Sequence, residues 1–351
     1  MKEYAKESAG TEQFAGLDVS LKDVSICVSD GGGQVLWRGD VINDAAAVVA
    51  ALRRHAPGLV RAVLETGSCG VHLYRGLEAA SVPIVCICAR HAKGVLKCKI
   101  NKSDANDAEG LAQLARTGWY REVYVKSADA HVIRAHLLAR QQINKARRNF
   151  ENQIRALLRV FGLKVGQVAR GRFEARVTGL LERVPALRLP IEQLLASRRA
   201  LEASQAALEG EAKRLAAADE RCRTLQTMPG VGPLTALAFV SAMDEPSRFA
   251  KSSSVGAYLG LTPRSYQSGE VAWTGRISKT GDALSRALLY EAANVLMVRV
   301  KAPLPLKIWA LGLAARIGGK KARVALARKM AVILHRMLSN GTAYRWNPEA
   351  A

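Results

Sequence analysis

The sequence predicts a mixed α/β domain followed by a helical remainder, and three observations carry that prediction. Residues 14–88 alternate short β-rich runs with helical patterns. From about residue 128 to 225, Leu, Ile and Ala recur at three- and four-residue intervals among Arg and Gln. Pro229-Gly230-Val231-Gly232 then separates two apolar helical stretches. A chain of 351 residues suits two or three domains, and the changes of character divide it into segments 1–125, 126–222 and 223–351.

In chain order, Phe14 to Asp30 reads as two strands joined by a tight turn around Lys22-Asp23, and Gly31-Gly32-Gly33 turns into a third strand, Gln34 to Val41. A helix over Ala45 to His55, a strand over Arg61 to Thr66, a helix over Val71 to Ala80 and a strand over Pro83 to Cys88 follow. Ser103 or Asp104 caps a further helix whose apolar positions begin at Leu111 and Leu114. The order is β-β-β-α-β-α-β-α, a mixed sheet flanked by helices. Val132 to Phe161 and Ile191 to Ala218 are long helices of an arm interrupted at Pro185 and Pro190. Such an arm pairs either with itself as a helical hairpin or with a second copy as a coiled coil. Glycines between apolar helices at 229–232 fit a helix-hairpin-helix, in which Gly230 and Gly232 let backbone N–H groups approach a phosphate; a tight packing turn needs the same glycines. Residues 258–282 read as a polar loop region, and Asp282 to Val300 and Lys320 to Leu338 as closing helices.

Charge separates the segments more sharply than hydropathy. Residues 1–120 hold 14 basic and 13 acidic residues, a net +1; residues 121–250 hold 22 and 13, a net +9; residues 251–351 hold 16 and 4, a net +12. A near-neutral first third attached to a strongly cationic remainder fits a site-bearing domain joined to polyanion-binding parts, with nucleic acid the usual polyanion and a membrane surface or ribosome the other possibilities. No apolar run reaches the ~20 residues of a membrane span and the N-terminus lacks a signal-peptide core, so a cytoplasmic protein is expected. Cys27, Cys69, Cys86, Cys88, Cys98 and Cys222 form no C-x-x-C pair, which argues against a zinc knuckle or a disulfide framework.

Four carboxylates stand out. Asp18 interrupts an otherwise apolar strand, where an unpaired charge is costly to bury. Glu65 ends a strand at the edge where open α/β sheets place their ligands. Asp104 and Asp107 are three residues apart in a first helical turn, so they share a face. Paired carboxylates suit hard cations such as Mg²⁺, and acidic residues in a first turn also simply offset the helix dipole. Ser268 lies beside Gly269 among the cations Arg264, Arg276 and Lys279, as a turn residue or as a hydroxyl placed near a phosphate. In the arm, Arg140, Lys145, Arg147, Arg148, Arg155 and Arg159 are either a nucleic-acid face or a solvated one.

Gly16-Leu17-Asp18, Leu64-Glu65-Thr66-Gly67, Lys102-Ser103-Asp104-Ala105-Asn106-Asp107, Met228-Pro229-Gly230-Val231-Gly232 and Leu259 through Gly269 occur in this order. Together they resemble the DEDD insertion-sequence transposases related to the Piv invertase, a family of bridge-RNA-guided DNA recombinases, over roughly residues 13–340. The resemblance implies a RuvC-like, RNase H-type domain, a coiled-coil arm and a C-terminal transposase domain. It further implies that Asp18, Glu65, Asp104 and Asp107 bind Mg²⁺, two ions to a site, and that Ser268 is a nucleophile forming a serine–DNA bond. Donor and target DNA, a non-coding guide RNA and further copies of the chain, as a dimer or tetramer, are the implied partners. Two other classes remain open at this point: a Holliday-junction nuclease would need the carboxylates without Ser268, and a nucleic-acid-binding protein would need neither. Transposase and site-specific invertase are not separated by these motifs.

Overall fold

The computed structural model describes residues 12–97 and 103–345; Cys98, Asn101 and Lys102 lie outside them. The chain divides into two compact units, Met1–Val125 and Lys126–Ala351.

In the first unit, β1 (Gln13–Val19), β2 (Asp23–Asp30) and β3 (Val35–Ile42) form the expected antiparallel meander. The turn between β1 and β2 is closed by Ser20, whose backbone N–H donates to Asp23 O at 2.9 Å and whose Oγ accepts from the Asp23 N–H at 3.0 Å. Next come α1 (Ala45–His55), β4 (Leu59–Glu65), α2 (Gly70–Ala79), β5 (Ile84–Ile87), α3 (Ala89–Leu96) and α4 (Asp104–Thr117). The sheet order is β3-β2-β1-β4-β5, with β4 parallel to both β1 and β5. Side chains alternate across the sheet. Ala15, Leu17, Ala62 and Leu64 pack with Val48, Leu52, Leu73 and Leu77 of α1 and α2. On the opposite face Phe14, Val63 and Ile87 meet Leu111, Leu114 and Ala115 of α4. Burying each of these Leu side chains stabilises the unit by roughly 1.5–3 kcal/mol. Helix α3 was not expected from the sequence: Ala92 is its one buried residue, so no apolar stripe announced it.

The second unit opens with α5 (Ala128–Val160), followed by α6 (Phe173–Leu181), α7 (Arg188–Ala218), α8 (Glu220–Gln226), α9 (Pro233–Met243) and α10 (Val255–Tyr258). After β6 (Pro263–Ser268) and β7 (Val271–Ile277) it ends with α11 (Ala283–Val298), α12 (Pro305–Ile317) and α13 (Gly319–Asn340). Helices α5 and α7 pack as an antiparallel hairpin within the chain. Pro185 starts a 3₁₀ turn, whereas Pro190 sits in the first turn of α7 without breaking it, because first-turn N–H groups have no intrahelical acceptor to lose. At one end of the hairpin Ile154, Leu158, Phe173, Val177, Leu181 and Ile191 form a small separate core. At the other, Leu137, Ala212 and Ala216 join the large core built around α9, whose residues Thr235–Met243 are all buried. A helix apolar on every side belongs in such a centre.

The hairpin corrects one sequence expectation. Arg140 and Arg147 do not lie on an outer face: Arg140 Nη2 donates to Glu209 Oε1 at 2.5 Å, and Arg147 donates to Gln205 Oε1 at 3.2 Å and Glu151 Oε1 at 2.5 Å. Arg155 donates to Gly166 O at 2.6 Å and lies over the Phe173 ring. Lys145, Arg148 and Arg159 are exposed. A second correction concerns residues 263–277, expected as loop, which form the antiparallel β6–β7 hairpin.

Candidate active site: a carboxylate edge and a serine hairpin

Strand register decides where Asp18 and Glu65 fall. Gly16 pairs with Val63 and Leu17 with Leu64 across the parallel β1–β4 ladder, so the next residues of the two strands are Asp18 and Glu65, side by side at the carboxyl ends. Leu17 and Leu64 point into the α1/α2 core, and alternation turns Asp18 and Glu65 to the face covered by α4. Helix α4 can reach that face because Gly16 has no side chain. A Cβ there would stand 2.1 Å from Ala108 O and 2.3 Å from Ala112 N. Phe14 belongs to the cluster with Leu111, Leu114 and Ala115, while Gly16 lies against Ala108 and Ala112. Moving along β1 toward Asp18 therefore moves back along α4 toward its first turn, which carries Asp104 and Asp107.

That first turn is well made on its own account. Ser103 Oγ accepts from Asn106 N–H at 3.3 Å as the N-cap, worth ~1 kcal/mol, and Gly118 closes the other end in the left-handed conformation. Asp104 is exposed and Asp107 half-buried. Beside them, Glu109 pairs with Arg38 of β3. The same sheet edge is electrically positive at the end of β5. Burial would raise the Cys88 thiol, but the backbone N–H groups of His91 and Arg90, with the Arg90 and Arg121 guanidiniums, outweigh it and lower its pKa. Four carboxylates are the right donor chemistry for a hard divalent cation. Among the described residues no three His, Cys, Asp or Glu side chains are close enough together to hold a metal ion.

Ser268 is the last residue of β6 and pairs with Val271 across the two-residue turn Gly269-Glu270, with Gly269 at φ +55°. Every residue of β6 is exposed. The base of the hairpin, in contrast, is locked by backbone-to-backbone approaches. Gly260, at φ +68°, leaves no room for a Cβ, which would lie 2.0 Å from Thr280 O; Gly281, at φ +88°, is equally close to Tyr258 O. Arg286 donates to Leu259 O at 3.0 Å, Thr280 O at 3.2 Å and Gly281 O at 3.0 Å. Asp282 caps α11 by accepting from Ser285 N–H at 2.8 Å and pairs with Arg134 of α5. A firm base thus carries an exposed tip bearing the hydroxyl.

The cations chosen from sequence divide by role. Arg264, itself exposed, donates to Ser278 O at 3.1 Å and so braces the hairpin; Arg276 and Lys279 are exposed as well. Gly230, at φ +90°, is required by packing: its Cβ would meet Ala292 O of α11 at 2.6 Å. Gly232 precedes α9 with open space around it. The sequence reading missed Arg286 and Asp282 as anchors, and it missed the aromatic pair Tyr266 and Trp273. No apolar alternation announced that pair, because the strands that carry it have no buried face.

Comparison with known proteins follows the same two regions. Residues 222–309 match the family described as "Transposase IS116/IS110/IS902 family", and residues 15–162 match the DEDD transposase family of IS110. The chain is similar to the transposase for insertion sequence element IS1111A of Coxiella burnetii, 31% identical over 342 residues, which is 95% of this chain and 91% of the relative. It is also similar to a probable family 20 transposase of Pseudomonas aeruginosa, 33% identical over 70% of this chain and 75% of the relative. The transposase for IS1328 of Yersinia enterocolitica is 29% identical over 70% of this chain and 74% of its own length. With the two family regions lying on the carboxylate edge and on the serine hairpin, the chain belongs to the IS110/IS116 family of insertion-sequence transposases.

Proposed function

We propose that this transposase cuts and rejoins DNA with Ser268 as nucleophile and with Asp18, Glu65, Asp104 and Asp107 as the acidic quartet of a RuvC-like domain. In this reading the quartet takes Mg²⁺, two ions to a site, a non-coding RNA selects the DNA, and the working species is a dimer or tetramer. The observation that carries it is the packing of α4 on Gly16, which directs the first-turn pair Asp104 and Asp107 toward the sheet edge where β1 and β4 end in Asp18 and Glu65, with no three of the described acidic side chains close enough together to hold an ion as they stand. The exposed serine on a braced hairpin is what a nucleophile that must enter a DNA backbone requires.

The chain's own residues then have distinct tasks. Ser268 Oγ attacks phosphorus, one P–O bond forms and the bond to the leaving deoxyribose oxygen breaks, so the diester energy is kept for rejoining. A serine hydroxyl is weakly nucleophilic at neutral pH and must lose its proton to a neighbouring base as it attacks. Arg276 and Lys279 draw the phosphate backbone to the hairpin, and Arg264 keeps the tip in register. Bound divalent ions would neutralise charge on the scissile phosphate, and the four carboxylates would hold them.

The test is a suicide substrate whose cut strand cannot be rejoined. Wild-type protein is expected to retain DNA covalently on a peptide containing Ser268; Ser268→Ala loses both adduct and recombination, and Asp18→Asn, Glu65→Gln, Asp104→Asn or Asp107→Asn loses recombination while DNA binding persists. A Ser268→Ala protein that still cleaves DNA through the carboxylates makes water the nucleophile and turns the reading into a resolvase-type nuclease.

A further inference from the structure

Two large aromatic side chains stand in the open beside Ser268. Tyr266 and Trp273 face each other across the β6–β7 ladder, with ring centroids 5.7 Å apart and planes 22° from parallel. Each keeps about half of its surface exposed, 49% for Tyr266 and 54% for Trp273. The indole lies across Gly275, where a Cβ would come within 2.6 Å of the ring, so the pair is seated on the backbone. In a chain that is 5% aromatic, two adjacent exposed rings on a locked hairpin are not the scatter of single apolar residues found on any surface.

Alternation fixes which way the pair faces relative to the serine. Tyr266 and Ser268 are two residues apart on β6, and their partners Trp273 and Val271 are two apart on β7, so all four lie on one face. Two strand residues span about 7 Å, about two steps of a nucleic-acid strand at ~3.4 Å each. Arg276 and Lys279, both exposed, supply positive charge on the same hairpin and just beyond it.

We propose that Tyr266 and Trp273 form a stacking platform for an unpaired base of the DNA strand that Ser268 attacks, one or two nucleotides from the scissile phosphate. The inference rests on the serine reading for its purpose but not for its test. Every base presents a π-face to such rings, so the platform tolerates any sequence while holding the strand in place. A paired, stacked base has no free face to offer. The platform therefore selects DNA opened at the cleavage point over intact duplex. Tyr266 and Trp273 are positioning residues: they touch a base, not the reacting phosphate.

The experiment uses full-length Ser268→Ala protein, which forms no adduct, and single strands of the element's end carrying 2-aminopurine at successive positions. The expected result is strong quenching at one or two adjacent positions, lost in the added pair Tyr266→Leu and Trp273→Leu and retained with Trp273→Phe. Affinity for the single strand should fall about tenfold or more in the double Leu variant, with duplex affinity unchanged. Leucine keeps the apolar bulk, thermal unfolding checks the fold, and quenching in the background carrying both native rings needs no aromatic variant at all. Absence of quenching at every position, or equal preference for RNA of the same sequence, overturns the platform. A double variant that changes subunit stoichiometry and leaves DNA binding alone makes this face a contact between copies and overturns it too. A serine adduct formed by wild-type protein on the suicide substrate, beside no quenching in Ser268→Ala, leaves the serine reading standing and removes this one.

Discussion

Gly16 determines how near α4 comes to the sheet, and through that how near its first turn comes to Asp18. Because the obstruction is backbone, Ala108 O at 2.1 Å and Ala112 N at 2.3 Å from a Cβ, no side chain can swing away to admit a methyl group. Gly16→Ala should cost about 3 kcal/mol, the upper end of overpacking penalties, lower the unfolding midpoint in denaturant, and abolish recombination even though no acidic residue is changed. Retained activity with normal stability would mean the position of α4 does not matter to the edge. His335 gives a prediction of another kind. It is buried, with Nδ1 facing Ser252 Oγ at 2.9 Å, Nε2 facing Pro246 O at 3.1 Å and the ring edge-on to Phe249. Burial lowers its pKa below the usual 6.5, Arg248 adds to the shift, and the Pro246 carbonyl opposes it. The unfolded chain then binds this proton more readily than the folded one as pH falls below about 6.5. The stabilisation is present above that pH and drains away below it. His335→Gln, compared by denaturant unfolding between pH 7.5 and 5, should show a flatter loss of stability than wild type; parallel curves would remove His335 from the acid response.

At the scale of elements, the arm and the hairpin are held by different physics. Glu151 of α5 accepts from Arg147 at 2.5 Å and from Arg198 of α7 at 2.9 Å, with the Arg198 side chain only 3% exposed. Removing one charge of a buried ionic group is costly, whereas replacing its ions with apolar residues need not destabilise; without Glu151, Arg198 keeps Glu202 and Arg170 O, and Arg147 keeps Gln205 and Asn144, which limits the loss. Glu151→Gln should therefore cost about 2 kcal/mol by denaturant unfolding, the scale of a hydrogen bond to a charged group, and an unchanged midpoint would remove Glu151 from what holds the arm together. This network also explains why the arm's charges were misread from sequence: helical spacing places Arg140 and Arg147 on a face but does not say which face the second helix covers. The meander, its following helices and the α4 start were legible because period-two and period-3.6 patterns, with Ser103 as a cap, agree with the packing found. The β6–β7 hairpin was not legible because its strands bury nothing. Without a buried face there is no apolar alternation to read, and the hairpin's order comes from Gly260, Gly281 and Arg286 at its base. Gly281→Ala, strained at φ +88° and blocked by Tyr258 O, should cost at least ~2 kcal/mol locally and suppress the serine adduct while DNA binding remains; an undiminished adduct would show that the tip needs no such anchor.

For the whole molecule, the distribution of charge matters more than its sum. A net +22 would attract any polyanion at long range, but at physiological ionic strength exposed charges more than about 8 Å apart are largely screened from one another. What reaches a DNA backbone is therefore set by which cations lie at the contact. The first 120 residues carry a net +1 and the last 101 a net +12, so neutralising equal numbers of exposed cations in the two parts should have unequal effects. Each phosphate contact removed lowers the log–log slope of duplex affinity against salt by ~0.9. Arg276→Ala with Lys279→Ala is expected to reduce that slope by about 2 in the full-length protein. Arg53→Ala with Arg54→Ala, at the exposed end of α1, should leave it unchanged. Affinities measured between 50 and 200 mM salt on a roughly fivefold-spaced protein series resolve a difference of that size, since a slope change of two over fourfold salt alters affinity by about sixteenfold. Equal slope changes from the two pairs would make DNA attraction a property of net charge alone, and would remove Arg276 and Lys279 from the DNA-contacting surface assigned to the serine hairpin.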